Sequence, residues 1–269
     1  AMIDAGALEC VSMIFGGHVD RHFAAGEIAV TEGPVNASSD AFKIEIFGPG
    51  GHAARPHETV DAVVVGALLV MALQTIVSRE VNPAHPSVVS VGKFLAGSAG
   101  NVIANHARLE GSIRAQEQDV RERLHAAVRR IATSVGQLHG AEVKTEISEG
   151  TPPLINLPPA LTIARRAAEI AVGKDHIEEL RIANMGGEDF AYYLQHVPGC
   201  YVRIGAQAPG KESYPAHSSK FDINEDSIRH GIAYFCAAAW VAGQAILDDE
   251  VAIPLVDKTT AHERSPSCT

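Results

Sequence analysis

The chain lacks a run of about 20 apolar residues, the length a helix needs to span a bilayer. Its most apolar segment, Ala62–Leu73, is about 12 residues long and reads as a buried helix. Positive charge is in deficit: 22 Lys and Arg stand against 32 Asp and Glu, for a net charge of −10. That argues against nucleic acid or anionic membrane as the main partner. No CxxC pair exists, and Cys10, Cys200, Cys236 and Cys268 are scattered, which fits a reducing cytoplasm better than a disulfide framework. The opening AMIDAGALEC has neither the basic start nor the apolar core of a secretory signal. No internal repeat or low-complexity tract is present. The opening reads as the end of a helix already under way. The closing DKTTAHERSPSCT is polar and aperiodic, so residues 248–269 read as a disordered tail.

What is present is an ordinary globular composition, 46% hydrophobic and 20% charged over 269 residues, with thirteen histidines. Val11–Phe15 is a short apolar run stopped by Gly16 and Gly17, a buried strand with His18 just past its end. Residues 19–37 show no period and read as loop. From there the pattern sharpens. AFKIEIFG (41–48) alternates, 59–78 reads as helix, 87–97 as strand, and 107–115 alternates again. Residues 119–138 place Val120, Leu124, Val128, Ile131, Val135 and Leu138 at helical spacing, and 141–148 alternates. The order is β-α-β-β-α-β, the ferredoxin-like arrangement, whose two helices leave one sheet face open. Arg114 then points out from the open face, where a ligand could approach. Beyond residue 150, a helix fits 159–172, another begins near Glu188 and Asp189, 200–206 is a strand, and 225–247 is an amphipathic helix capped by Asn224. The expected organisation is a small domain at 37–149 inserted into a larger α/β domain made of 1–36 and 150–247.

Five stretches could carry chemistry, each with an ordinary alternative. His18 in GGHVD sits where open α/β sheets gather ligands, or is a loop histidine. His217 lies in a polar loop before a helix and has no adjacent partner. The acids of MGGEDFAYYL either compensate a helix dipole or frame an anion site. Asn101 and Arg114 offer an amide and a planar fork suited to a carboxylate, or Arg114 pairs with Glu110. In FGPGGHAARPHETVDA, Gly48, Gly50 and Gly51 let the backbone approach a ligand. No carboxylate lies close enough to His52 and His57 for a short-range zinc pattern, so His52 reads as a hydrogen-bond donor to substrate.

Together FGGHVD, AGEIAVTEGPVNASSDAFKIEIFGPGGHAARPHETVDA, NVIANHARLEGSIRA, GGEDFAYYLQHVPGCYVRIGA and HSSKFDINED resemble the metallo-amidohydrolases of peptidase family twenty, the group containing aminoacylases, hippurate hydrolases and auxin-conjugate hydrolases. They stand in family order over about residues 1–247, and the similarity is greatest to the hippurate and auxin-conjugate branch. The resemblance implies a zinc-peptidase-like α/β catalytic domain with a ferredoxin-like lid that also dimerises. It implies an N-acyl amino acid substrate and two divalent metals per full-length subunit (zinc, manganese or cobalt). His18 and His217 match metal-ligand positions, one for each metal. His52 matches the lid histidine that polarises the scissile carbonyl in the partner subunit's site. Asn101 and Arg114 match residues that hold a substrate carboxylate, and His57 lies beside them. The strand at 87–97 and the helix at 59–78, apolar nearly all round, are the expected dimer surfaces.

The pattern departs from the family in one respect. The Cys-Gly-His metal motif and the Glu-Glu pair that supplies the general base are absent. His18 and His217 alone fall short of the roughly four ligands tetrahedral zinc takes. The chain is therefore expected to be an incomplete site with little activity by itself. The alternative is a non-catalytic carboxylate-binding or dimerising protein on the same fold.

Overall fold

The computed structural model of the protein describes residues 1–208, 210 and 214–248. The expected tail at 248–269 lies, from residue 249 on, outside them. In chain order the elements are β1 (Ile14–Ala24), β2 (Ile28–Ala29), β3 (Gly33–Asn36), β4 (Asp40–Phe47), β5 (Gly51–His52), α1 (Ala62–Thr75), β6 (Ser87–Ala96), β7 (Val102–Ile103) and β8 (His106–Ala115). They continue with α2 (Gln118–His139), β9 (Glu142–Ser148), β10 (Leu154–Asn156), α3 (Ala160–Val172), β11 (Ile177–Glu178), α4 (Phe190–Leu194), β12 (Gly199–Gln207) and α5 (Asp226–Leu247). Two compact units result. The first holds Ala1–Val35, Ile155–Ile182 and the chain from Tyr192 onward; the second holds Asn36–Leu154 and Ala183–Ala191.

The second unit is the βαββαβ sandwich. Its four-stranded sheet runs β6-β8-β4-β9, the ferredoxin-like order, with every pair antiparallel. Alternation decides the faces. Phe42, Ile44 and Ile46 of β4 and Leu109 and Ile113 of β8 are buried beneath Leu69 and Leu73 of α1 and Leu124 and Val128 of α2. The opposite face is a ladder of charges: Lys43 reaches Glu45 and Glu146, each at 3.2 Å, and Arg108 pairs with Glu110. Gly111 is needed at the centre, because a Cβ there would meet the Ser90 carbonyl oxygen at 2.1 Å.

Helix α1 begins at Ala62 because the Asp61 carboxylate accepts from the Val63 amide at 2.9 Å. It does not stop near residue 73. A π turn, Ile76–Glu80, carries it on, and the 19-residue whole is a third buried. The buried-helix expectation is thus half right. The helix covers one sheet face as a single layer, leaving Val63, Val64, Leu68 and Met71 exposed. By length and composition alone, this segment and α5 could each cross a membrane. Helix α2 ends at Gly140, whose φ of 69° lets the chain reverse. Leu138, expected in the core, is exposed.

One polar cluster ties this unit together. The Asp40 side chain is fully buried and accepts from Arg121 Nε at 2.8 Å, Arg121 Nη2 at 2.7 Å, His125 Nε2 at 2.8 Å and the Gly150 amide at 3.0 Å. Burial pushes the Asp40 carboxyl up, but those donors outweigh it and hold the group below its ordinary range.

The first unit is a mixed sheet ordered β1-β12-β2-β11, with β1 parallel to β12. Residues 19–37 are therefore not a loop. β1 runs on through His18 to Ala24, and β2 and β3 follow. β12 is buried along nearly all its length, as an interior strand should be. Helices α3 and α5 pack close through small residues, Ala160, Ala164, Ala167 and Ala168 against Ala237 and Ala238. Asn156 locks the middle, donating to the Thr31 and Tyr201 carbonyls and accepting from the Tyr201 amide. Residues 2–10 form consecutive turns, not the helix end expected. Cys200 is buried and free, and Cys236 is exposed and free. Burial pushes the Cys200 thiol up to about 12, which leaves it inert.

Candidate functional site

His52 ends the short strand β5, and β5 pairs with β7 so that His52 stands opposite Val102. That register brings Asn101 beside it, with the Ala53 amide donating to the Asn101 carbonyl at 3.3 Å. The His52 ring is exposed, and its Nδ1 accepts from the Ala54 amide at 3.0 Å. A nitrogen that accepts from an amide carries no proton, so the neutral ring holds its proton on Nε2. His52 thus presents a donor outward. His57 follows in a 3-10 turn, exposed, 3.6 Å from Glu58 Oε1.

Arg114 is elsewhere in the same unit. It stands near the end of β8 opposite Val88, whereas the β8 end nearest Asn101 is His106, opposite Phe47. Eight residues of strand separate those ends, about 26 Å at roughly 3.3 Å per residue. Arg114 does not pair with Glu110. Its Nη1 reaches the Met185 carbonyl at 3.5 Å, and Gln116 beside it donates to the Ala183 carbonyl at 3.3 Å. The 183–191 segment, assigned from sequence to the larger domain, clusters with the smaller unit and closes over this end of β8. α4 starts only at Phe190, is five residues long, and receives the Glu188 carboxylate at the Phe190 amide.

In the first unit, His18 lies within β1, opposite Arg203 of β12, and not beyond the strand end. The parallel ladder with β12 carries the strand through the glycines that looked like a stop. The His18 Nδ1 is 2.6 Å from the Val19 carbonyl oxygen. A carbonyl only accepts, so Nδ1 holds the proton and Nε2 keeps a lone pair, the form in which imidazole binds metal. His217 sits in an exposed turn with φ 71°, on the loop leading from the carboxyl end of β12 to α5.

The model for peptidase family M20/M25/M40 matches residues 1–240. The chain belongs to that family. The YhaA protein of Bacillus subtilis is 39% identical over 246 residues, which are 91% of this chain and 60% of that protein. The N-acetyl-L-cysteine deacetylase of Bacillus subtilis is 33% identical over 84% of this chain and 53% of its own length. The YxeP protein of Bacillus subtilis, described as a dinuclear metal-binding peptidase of the M20 family, superposes with a TM-score of 0.74 at 28% identity, covering 90% of this chain and 60% of that one. The chain thus spans about three fifths of the length of the M20 relatives it matches.

Among the described residues no three His, Cys, Asp or Glu side chains gather as a metal requires. The His18 tautomer suits a ligand, but the donor set in hand does not make a closed site.

Proposed function

We propose that the protein acts as a metal-dependent amidohydrolase on N-acyl amino acids, hippurate-like or auxin-conjugate-like, with the βαββαβ unit as its lid. The observation that carries this reading is the His52 tautomer. A fixed Nε2–H beside Asn101 suits an amide carbonyl oxygen on which negative charge develops. A donor so placed is worth about 2.7–4 kcal/mol in comparable acyl-transfer sites. Arg114 offers the planar fork for the substrate carboxylate, and His57 lines the approach to His52. His18 and His217 are the proposed metal-ligand residues of this chain, one toward each of two divalent ions (zinc, manganese or cobalt). Such ions, when bound, supply Lewis acidity and a lowered water pKa. Closure of the lid would exclude water from the reacting centre.

The roughly 26 Å of β8 between Arg114 and the strand end toward Asn101 is longer than an N-acyl amino acid. A single chain therefore cannot apply both to one substrate. This favours a homodimer in which His52 and Asn101 of one chain serve the site anchored by Arg114 of another. The exposed Val63, Val64, Leu68 and Met71 of α1, with Phe94 and Leu95 on the edge strand β6, support it as the contact. The full gene product is expected to sediment as a dimer, and Met71→Asp to return it to monomer. With Mn²⁺ and N-benzoylglycine, His52→Gln should lower kcat by about 10²–10³ with little change in KM. An unchanged kcat refutes the role. The chain of 269 residues by itself should show little or no turnover, and robust turnover refutes its incompleteness.

The second reading is a non-catalytic carboxylate-binding protein on the same fold. Hippurate binding without hydrolysis by the metal-loaded full gene product would select it.

A further inference from the structure

At the C-terminal end of α1 the βαββαβ unit holds a groove that the proposed reaction does not use. Helix α1 passes into the π turn Ile76–Glu80, where the Val81 amide donates to the Ile76 carbonyl, five residues back, at 3.2 Å. Turns of this kind are rare and frequent at functional sites. Between this turn and the first half of α2 lies a cavity of about 450 Å³, the size of a small-molecule site. Its floor is apolar, with Ile76 and Val81 on one side and Val120, Leu124 and Ala127 on the other. The last three are spaced four and three residues apart and so share one face of α2. The exposed Val63, Val64, Leu68 and Met71 of α1 do not line it, which keeps the groove apart from the proposed dimer contact.

The rim is charged, and its two arginines differ. Arg123 and Arg130 stand on α2 seven residues apart, about 10 Å along the helix axis. Arg123 is tied to its own helix: Nε donates to the Asp119 carbonyl at 3.3 Å and Nη2 to the Asp119 carboxylate at 2.8 Å. Arg130 reaches across the groove instead, its Nη2 donating to Glu80 Oε2 at 2.5 Å, at the end of the π turn. The two side chains of that pair are 57% and 39% exposed, a setting in which an ion pair holds weakly and yields to a competing anion. A guanidinium takes a carboxylate through two parallel hydrogen bonds. A cation that Glu80 can release, set over an apolar floor, suits an anion with a hydrocarbon body. With Arg123 already on Asp119, one carboxylate is the charge the groove can take up. We propose that this groove binds a small amphipathic monocarboxylate, a medium-chain or aromatic acid. Its carboxylate replaces Glu80 on Arg130, and its hydrocarbon lies on Ile76, Leu124 and Ala127. The ligand then bridges the last turn of α1 and α2. The proposal stands whether or not the protein hydrolyses amides.

Octanoate is the probe, titrated calorimetrically into the protein, with acetate and octylamine as controls. Octanoate should bind at one site and raise Tm. Acetate lacks the hydrocarbon body and octylamine the negative charge, so neither should bind measurably. Arg130→Ala should weaken octanoate binding by about tenfold or more. Glu80→Gln frees Arg130 and should tighten binding by about two- to fivefold, a gain that damage to the fold would not produce. Ala126 is exposed at the groove, and Ala126→Phe should block binding while leaving the far-ultraviolet circular dichroism unchanged. No binding of octanoate, or an affinity unaltered by Arg130→Ala, overturns the proposal. Equal binding of octylamine overturns it too, since the groove would then be apolar without selecting an anion. So does loss of octanoate binding on Arg114→Ala or on chelation of divalent metal, which places the acid in the proposed catalytic cleft.

Discussion

Two fully buried polar groups, one in each unit, are accommodated in opposite ways. In the βαββαβ unit, Asp40 is fully buried and has four donors on two oxygens, drawn from α2 and from the backbone at Gly150. In the first unit, Tyr234 is fully buried and its hydroxyl has no hydrogen-bond partner among the described residues. Ser227 Oγ, on the same helix, is in the same state. A satisfied polar cluster makes a core specific, and an unsatisfied one costs stability. The smaller unit also leaves buried atoms without a hydrogen-bond partner among the described residues, Ser87 Oγ, Arg108 Nε, Glu110 Oε1 and Thr151 Oγ1, but it meets its fully buried carboxylate entirely with its own residues. In the first unit the group left unmet is the fully buried phenol itself.

The largest effect should come from breaking the satisfied cluster. Arg121→Ala strands the Asp40 charge in the interior and should cost about 3–5 kcal/mol, read by urea denaturation. A loss under about 1 kcal/mol, the size expected of an exposed ion pair, would erase the contrast between the units. Acid should act on the same group. Asp40 has a folded-state value held below its ordinary 3.8, so its contribution is complete above that value and drains away as pH falls through the lower one. Asp40→Asn should flatten the acid side of the stability profile, and an unchanged slope would show that other carboxylates govern it. The smallest effect belongs to the unsatisfied group. Tyr234→Phe deletes a hydroxyl without a partner and should be neutral or stabilising by up to about 1 kcal/mol. Burial already pushes that phenol well above its ordinary range. A clear destabilisation would reveal a partner for the hydroxyl and bring the units closer in kind.

The elements read correctly from sequence are those whose pattern is local. Phe42, Ile44 and Ile46 alternate with charges and could occupy only one face of a sheet. Val120, Leu124, Val128 and Ile131 could lie only along one helix face. β1 was misread because HVDRHFA has no alternation, and because Gly16 and Gly17 look like a stop until β12 lies beside them. The site residues divide in the same way. His52 and Asn101 were legible as polar groups in glycine-rich turns. The proton on Nε2 is set by the Ala54 amide two residues on. The Asp40–Arg121–His125 cluster gave no signal, since its members lie 81 and 85 positions apart and each looks ordinary alone.

The sequence by itself determined the βαββαβ order, the faces of its strands and helices, and the family, because side-chain periodicity and motif order are properties of the chain. Only the tertiary structure decided which residues share an end of the sheet. Strand register put Asn101 beside His52 and carried Arg114 to the far end of β8. Register is a choice of hydrogen-bonding partner across the chain, and local pattern does not fix it.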